Sequence, residues 1–221
     1  QDIEDLIQKE EMVVTVTHSG YIKRVPLVTY RSQKRGGKGR SGLSMRDEDI
    51  TTQLFVGNTH TPMLFFSSLG QVYSLTLYKL PLGNPQSKGR PMVNLLPLQD
   101  GETITNIMPM PENQEEWDNM HIMFTTAKGN IRRNDLSDFK KIQANGKIAI
   151  RMDDDDSLVS VMACSEDDHV LLASRLGKAI RFPVNAIRVF KSRTSDGVRG
   201  MKLAEKDRVI SMTILHGIKS T

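Results

Sequence analysis

A pattern of two apolar runs separated by a glycine turn recurs four times, and it constrains the fold of this 221-residue chain more than any other feature. The four copies span residues 12–27, 62–77, 121–136 and 169–184. Their turn glycines are Gly20, Gly70, Gly129 and Gly177. Because glycine readily adopts the positive φ that a tight turn needs, each copy predicts a β-hairpin.

Two further apolar segments follow each hairpin, after a loop that contains glycine and basic residues. The first set predicts third strands at residues 43–45, 93–96, 148–150 and 200–203. The second set predicts fourth strands at residues 50–56, 103–108, 158–163 and 209–215. Four short strands in each unit of about 50 residues are typical of blades around an axis. The sequence therefore predicts an all-β, propeller-like blade repeat with about four four-stranded blades.

The residues outside the repeat indicate how the chain is organised. Residues 1–11 are acidic and predict the end of a helix or a linker, whereas residues 12–221 form the blade domain, with repeats beginning near 12, 62, 121 and 169. The interval between the second and third repeats is longer because Pro111–Asn119 is inserted, and we expect this acidic stretch to be a surface loop that carries the only tryptophan. Four blades rarely close a ring unaided, so we expect the chain to be truncated before the last blades.

Composition excludes several classes of protein. Hydrophobic residues make up 38% and charged residues 25% of the chain, which is ordinary for a globular protein. No apolar run approaches the roughly 20 residues of a membrane helix, so no membrane partner is expected. A single cysteine, Cys164, cannot form an internal disulfide and fits a reducing cytoplasm, where it is best interpreted as a core residue. The net charge of +4 is modest, but acids and cations occupy separate segments.

The segment Arg31–Arg40 holds five cations and three glycines in ten residues. Cations on a backbone loosened by glycine suit contact with phosphate oxygens. A flexible linker would have a similar composition, but this segment lies between two predicted strands, and its counterparts in the other repeats are less basic. We hypothesise that it binds the phosphates of a nucleic acid.

Other cations recur at related positions after the hairpin glycines and in the loops. The set comprises Lys23, Arg24, Lys88, Arg90, Arg132, Arg133, Lys140, Lys141, Lys178, Arg181, Lys191 and Arg193. Equivalent positions in a radial repeat fall on one rim, and a rim of cations suits the closely spaced charges of duplex DNA. One isolated pair of cations would more often be a solvated surface, but the periodic set favours DNA. No recognition-helix or zinc-finger pattern is present, so we expect readout of the DNA backbone and its deformability, not of base edges.

The heptapeptide Gln33–Gly39 resembles the gyrase A box, the marker of the C-terminal DNA-wrapping domain in the A protein of bacterial DNA gyrase, and residues 12–24 and 40–49 resemble its flanks. The resemblance covers essentially the whole chain. It implies a β-pinwheel, in which blades exchange strands with their neighbours, and DNA contacts at Gln33, Lys34, Arg35, Gly36, Gly37, Lys38, Gly39 and Arg40. Lys34 stands where the family commonly has arginine, which keeps the charge but loses the bidentate fork.

The same resemblance implies a function and a set of partners. The rim would wrap duplex DNA for ATP-driven negative supercoiling by a cytoplasmic, chromosome-associated bacterial enzyme. The N-terminal cleavage core of the parent chain and the gyrase B protein would be its partners in an A2B2 heterotetramer, with ATP and Mg²⁺ bound elsewhere in the complex. The fragment itself is expected to be non-catalytic, with no metal, cofactor or small-molecule substrate. Two alternatives stay open, namely the C-terminal domain of topoisomerase IV, which lacks an intact box, and a propeller that serves as a protein-interaction platform.

Several shorter motifs suggest other chemistry but lack the context that it needs. Residues 37–42 match G-x-G-x-x-G, but a helix is not predicted to follow them. Residues 153–156 are four aspartates whose equivalents in other repeats are also acidic, which predicts a repeated solvated turn. The five histidines have no metal-ligand spacing, and the four tyrosines are interpreted as packing residues.

Overall fold

A computed structural model describes residues 2–36 and 49–217 of the chain. The predicted third strand at 43–45, box residues 37–39 and the predicted DNA contact at residue 40 lie outside the described residues. The chain forms two compact units, which we call the first unit (Gln1–Met63 with Leu75–Gln99) and the second unit (Leu64–Ser74 with Asp100–Thr221). No helix of the described part is both long and apolar enough to span a bilayer.

The described residues form sixteen strands and one α-helix. In chain order the strands are β1 (Glu11–Thr17), β2 (Tyr21–Pro26), β3 (Thr51–Asn58), β4 (Pro62–Ser67), β5 (Gln71–Thr76), β6 (Arg90–Pro91), β7 (Ile104–Pro109), β8 (His121–Thr126), β9 (Asn130–Asp135), β10 (Lys147–Ile148), β11 (Leu158–Cys164), β12 (His169–Ser174), β13 (Ala179–Pro183), β14 (Val189–Phe190), β15 (Val198–Arg199) and β16 (Val209–Leu215). The helix is α1 (Leu27–Gly36). Short 3₁₀ helices lie at Ile3–Leu6, Leu77–Lys79, Met92–Asn94, Gln114–Asn119, Leu136–Phe139 and Val184–Ala186.

All four predicted hairpins are present, and the fold class is confirmed. The pairs β1–β2, β4–β5, β8–β9 and β12–β13 each turn at one of the marker glycines, whose φ angles are 77–90°. The predicted fourth strands correspond to β3, β7, β11 and β16, each of which pairs beside the first strand of its own hairpin. The described chain thus contains four small sheets, in the orders β3-β1-β2-β6, β10-β5-β4-β7, β11-β8-β9-β14 and β13-β12-β16, with β15 also on β9.

The outer strand of a sheet comes from the following repeat. β6 pairs antiparallel with β2, β10 pairs with β5, and β14 and β15 both pair with β9. The strand exchange that the resemblance implies is therefore present. The predicted third strands at 93–96 and 200–203 are wrong, because the pairing ends before them, and Met92–Asn94 turns into a 3₁₀ helix. Strands of two residues carry too little alternation for the sequence to indicate their positions.

The basic segment begins as a helix, which corrects the prediction of a loop over its first half. α1 extends through the box residues 33–36 and ends at Gly36. Gln33, Lys34 and Arg35 are straight-chain residues that form helices readily. Lys34 and Arg35 also occupy the last turn, where cations interact favourably with the helix dipole.

The acidic insertion Pro111–Asn119 packs onto the second unit and does not form the expected loop with a surface tryptophan. Trp117 is only 1% exposed, and its indole N–H donates to the carbonyl of Pro111 at 2.9 Å. It belongs to a cluster in which Phe66 and Phe124 meet edge to face, with ring centroids 5.7 Å apart. A large apolar ring whose N–H group has a hydrogen-bond partner stabilises the fold more when it is buried than when it is exposed to solvent.

Candidate nucleic-acid interface

The C-terminal turn of α1 presents two exposed cations on the first unit. Lys34 and Arg35 are both exposed, and the Nζ of Lys34 lies 4.9 Å from the ring centroid of Tyr30. A lysine this close to an aromatic face is attracted by the ring quadrupole. One turn of helix therefore orients the beginning of the box towards solvent.

The loop from the second repeat adds two more cations to the same unit. Lys88 and Arg90 are exposed on either side of Gly89. The Nζ of Lys88 lies 4.2 Å from the ring centroid of Tyr21, and Arg90 pairs with Ile22 across the β2–β6 ladder. Gly89 has φ of 86°, and a Cβ there would collide with the carbonyl of Ile22. Only glycine allows this loop to approach β2 so closely.

Two glutamine side chains join the helix to the loop. The amide nitrogen of Gln86 donates to Oε1 of Gln33 at 2.9 Å, and a longer contact of 3.4 Å runs in the opposite direction. This contact joins α1, which carries the exposed Lys34 and Arg35, to the loop that carries the exposed Lys88 and Arg90. We call these four cations the box face. Within the described ranges no salt bridge joins a box-face cation to a carboxylate, although the charge of Lys88 contributes to lowering the pKa of Asp49.

Three predicted rim cations are buried, and the prediction that they lie on an exposed surface is wrong. Lys23, Arg132 and Arg133 expose 9%, 0% and 3% of their area. Arg24 is half-buried, and its Nε donates to the carbonyl of Leu80 at 2.9 Å. Desolvation lowers the pKa of Lys23 and of Arg24, as expected when the charged form loses water.

Backbone carbonyls surround the guanidinium of Arg132. It donates to the carbonyls of Arg193 (2.9 Å), Ser195 and Ala149, and to the side chain of Asn134 at 2.6 Å. Burial lowers the pKa of Arg132 to about 10, so the side chain is charged at neutral pH. Because these donors are directed into the protein, Arg132 holds the loop of the following repeat and does not face a phosphate.

Arg133 makes a similar set of internal contacts. Its Nη1 donates to the carbonyls of Val184 (3.1 Å) and Ile187 (3.0 Å), and its Nη2 forms an ion pair with Glu166 at 2.8 Å. Its Nε also donates to Nδ1 of His121 at 2.8 Å. Desolvation, and then the charge of Arg133, lower the pKa of His121.

The remaining candidate cations lie on the second unit, and they differ in whether their side chains bind other residues of the chain. Lys140 forms an ion pair with Asp118 of the insertion at 2.6 Å, and Arg193 donates to the carbonyl of Ile148 at 3.0 Å, so both are engaged within the chain. The exposed members are Lys141, Lys178, Arg181 and Lys191, of which Lys178 contacts the carbonyl of Lys202 and Arg181 contacts His169. These four side chains are accessible to solvent.

The acidic turns have a structural role that the sequence reasoning missed. In three repeats an aspartate carboxylate accepts a hydrogen bond of 2.9–3.0 Å from the backbone N–H of the residue before the marker glycine. These aspartates are Asp49, Asp156 and Asp207. The carboxylates therefore fix the hairpin turns of the first, third and fourth repeats. Their recurrence at one place in the repeat was the available signal.

Sequence reasoning also missed how Tyr21, Tyr30 and Gln86 contribute to the box face. The two tyrosines were assigned to packing alone, although each lies under a lysine. Gln86 carried no signal, because its partner Gln33 is 53 residues away in the sequence and belongs to a different repeat.

The repeats agree with those of a known family. The profile of the DNA gyrase C-terminal domain, described as a beta-propeller, matches residues 11–58, 62–109, 121–165 and 168–216. The chain belongs to this family. It is 77% identical over all 221 residues to the DNA gyrase A protein of Rickettsia bellii, and 42% identical over 216 residues, or 98% of the chain, to that of Escherichia coli. The chain spans 24% of the length of each of these two relatives.

Solved structures support the same fold. A gyrase A C-terminal domain superposes with a TM-score of 0.66 at 29% identity and covers 92% of this chain and 64% of that one. A C-terminal domain of topoisomerase IV superposes with a TM-score of 0.77 at 23% identity and covers 96% and 63%, a likeness that concerns the fold alone. Since the family profile is that of gyrase, the topoisomerase IV alternative is not retained.

Proposed function

We propose that this gyrase C-terminal domain binds duplex DNA through its phosphates and wraps it, so that the parent type IIA topoisomerase can introduce negative supercoils. The observation that carries the proposal is the box face, where Lys34 and Arg35 of α1 and Lys88 and Arg90 of an exchanged loop are exposed together. Two repeats thus contribute cations to the box face. The remaining box residues 37–39 and residue 40 stay part of the proposed contact.

The chemistry of the box face suits a DNA backbone. Duplex DNA carries a negative charge about every 1.7 Å of axis, so several dispersed cations neutralise it better than one pocket does. Arg35 and Arg90 can each offer a bidentate fork to a phosphate, whereas Lys34 and Lys88 act as point charges. We therefore expect affinity that depends little on sequence, with readout of the backbone and its deformability.

On the second unit the proposed contacts are restricted to the exposed cations. They are Lys141, Lys178, Arg181 and Lys191. Lys23, Arg132 and Arg133 are removed from the proposed set because their donors bind internal acceptors. Lys140 and Arg193 are expected to contribute weakly, since both have partners within the chain.

The proposed biological setting is that of the longer proteins this chain resembles. There the domain would present wrapped DNA to the N-terminal cleavage core, with gyrase B completing an A2B2 complex in the bacterial cytoplasm. ATP and Mg²⁺ would be used by other parts of that complex, and this domain would contribute no catalytic group.

Salt-dependent binding tests the proposal. The affinity of the domain for a linear duplex is measured by fluorescence anisotropy at several salt concentrations. With on the order of 6–10 phosphates neutralised, affinity should fall about 10³- to 10⁵-fold between 50 and 200 mM salt. An affinity that does not change with salt would overturn the electrostatic account.

Wrapping is tested separately by ligating nicked plasmid in the presence of the domain and measuring the linking number. Replacement of Lys34, Arg35, Lys38 and Arg40 by Ala should abolish the shift in linking number while the thermal midpoint stays the same. A variant that still shifts the topoisomers as the unmodified domain does would contradict the role of the box.

A further inference from the structure

Lys23 is buried beneath the loop that carries half of the box face. Its side chain is surrounded by three backbone carbonyls of that loop, and its Nζ donates to Asn84 (3.0 Å), Pro85 (3.1 Å) and Ser87 (2.6 Å). An ammonium group has three donors, and all three are used here. Lys23 therefore has no N–H left for a phosphate.

The loop that Lys23 holds is attached at both of its ends to the first hairpin. The N–H of Gly83 donates to the carbonyl of Arg24 at 2.9 Å, and the N–H of Met92 donates to the carbonyl of Gly20 at 2.9 Å. Between these ends, the side chain of Asn84 accepts the backbone N–H groups of Gln86 and Ser87 at 3.0 and 2.9 Å. Lys23 binds the middle of the loop from its buried side.

We propose that Lys23 is a positioning residue for DNA binding, because its ammonium fixes the 84–88 loop in the conformation that places Lys88 beside α1. This inference rests on the proposed DNA-binding function. In this conformation the side chain of Gln86 donates to that of Gln33, and this hydrogen bond joins the loop to α1. When the three carbonyls lose their common partner, residues 84–88 lose their interior anchor, whereas Arg90 stays paired with Ile22 across the β2–β6 ladder.

The second unit contains a matched arrangement in which the places of Lys88 and Arg90 carry no cation. The proposed contact Lys191 lies earlier in the same loop, where Asn134 donates to the carbonyls of Phe190 and Ser192 on either side of it. Arg132 occupies the same position relative to its turn glycine as Lys23, three residues after Gly129, and it holds the carbonyls of Arg193 and Ser195. The loop there has Asp196 and Val198 at the places of Lys88 and Arg90. Removal of Arg132 therefore tests the structural part of the role alone.

The experiment compares Lys23→Met, Lys88→Ala/Arg90→Ala and the combined triple variant in the domain, with Arg132→Met as the control. The readout is the slope of log affinity against log salt for a linear duplex, because the slope counts the phosphates contacted. Loss of the Lys88 contact should make the slope shallower by about 0.9, and loss of both the Lys88 and Arg90 contacts by about 1.8. We expect the smaller change for Lys23→Met, the larger change for the double variant, and no further change for the triple variant relative to the double variant. Arg132→Met should lower the thermal midpoint and leave the slope unchanged.

Three outcomes would overturn the inference. They are an unchanged slope in folded Lys23→Met, additive changes in the triple variant, and a slope change of the same size in Arg132→Met. Should Lys23→Met fail to fold, Asn84→Ala loosens the same loop from an exposed position and should also reduce the slope, while an unchanged slope would again refute the role. A failure of the proposed function itself is distinguishable, because the unmodified domain would then show no salt-dependent binding.

Discussion

The loop at residues 196–198 offers a gain-of-function test of how the family binds phosphates. Asp196→Lys with Val198→Arg converts it to the Lys-Gly-Arg sequence of residues 88–90. The backbone is ready for this change, because Gly197 has φ of 91° and approaches the carbonyl of Ile131 in the same way that Gly89 approaches that of Ile22. Both substituted side chains point to solvent, since residues 196 and 198 are exposed.

The expected magnitude follows from counterion release. Two added phosphate contacts steepen the slope of log affinity against log salt by about 1.8, so the loss of affinity between 50 and 200 mM salt grows by about 12-fold. Binding is measured by anisotropy with a linear duplex, and circular dichroism verifies the fold. The substitutions add three positive charges to the net charge of +4. Glu115→Lys with Glu116→Gln adds the same charge on the insertion and serves as the control.

An unchanged slope in the folded variant would refute the idea that an exchanged Lys-Gly-Arg loop is a phosphate-binding element. An equal slope change in the insertion control would show that net charge, and not the position of the loop, determines the affinity.

Three further predictions concern stability and reactivity. Trp117→Ala should destabilise the second unit by about 3–5 kcal/mol, seen as a lower thermal midpoint, whereas Trp117→Phe should lose much less; equal midpoints would contradict the buried position. Burial raises the pKa of Cys164 to about 12, so a thiol reagent at pH 8 should react only after denaturation, and rapid reaction of the native domain would contradict this. A hydrogen bond from Ser19 lowers the pKa of Asp49, and one from Lys128 lowers that of Asp155. Each of these two carboxylates contributes stability that is present above the unfolded pKa of about 3.9 and is lost as the pH falls further. The urea midpoint of the domain should therefore decrease below about pH 4, and it should decrease less steeply in Asp49→Asn.

The sequence predicts the elements that depend on local pattern. A glycine turn between two alternating apolar runs leads to each hairpin, and a longer apolar run leads to β3, β7, β11 and β16. The exchanged strands escaped the same reasoning, because two residues do not establish a period. Trp117 was misplaced because its acidic neighbours suggested solvent, while its own ring determined its position.

The buried cations could not be told from exposed ones by residue type alone. A comparison of repeats offers a clue in retrospect, since the position three residues after the turn glycine holds Lys23, Tyr73, Arg132 and Ile180. A tyrosine and an isoleucine at a shared position fit an inward contact better than a phosphate-facing rim. Exposed cations such as Lys88 lie instead in the loops, where sequence reasoning also placed cations, and the exposed Arg90 begins the short strand β6.

Strand exchange limits how the number of repeats in such a domain can change during evolution. Each sheet in the described chain that takes its outer strand from the next repeat is unfinished until that repeat has been synthesised. A duplication that inserts a copy must supply both an edge for the incoming strand and a strand for the preceding edge. A gene segment that runs from the start of one hairpin to the start of the next satisfies both conditions, because it carries the exchanged strand as well as the hairpin, so the heritable module is offset from the visible sheet.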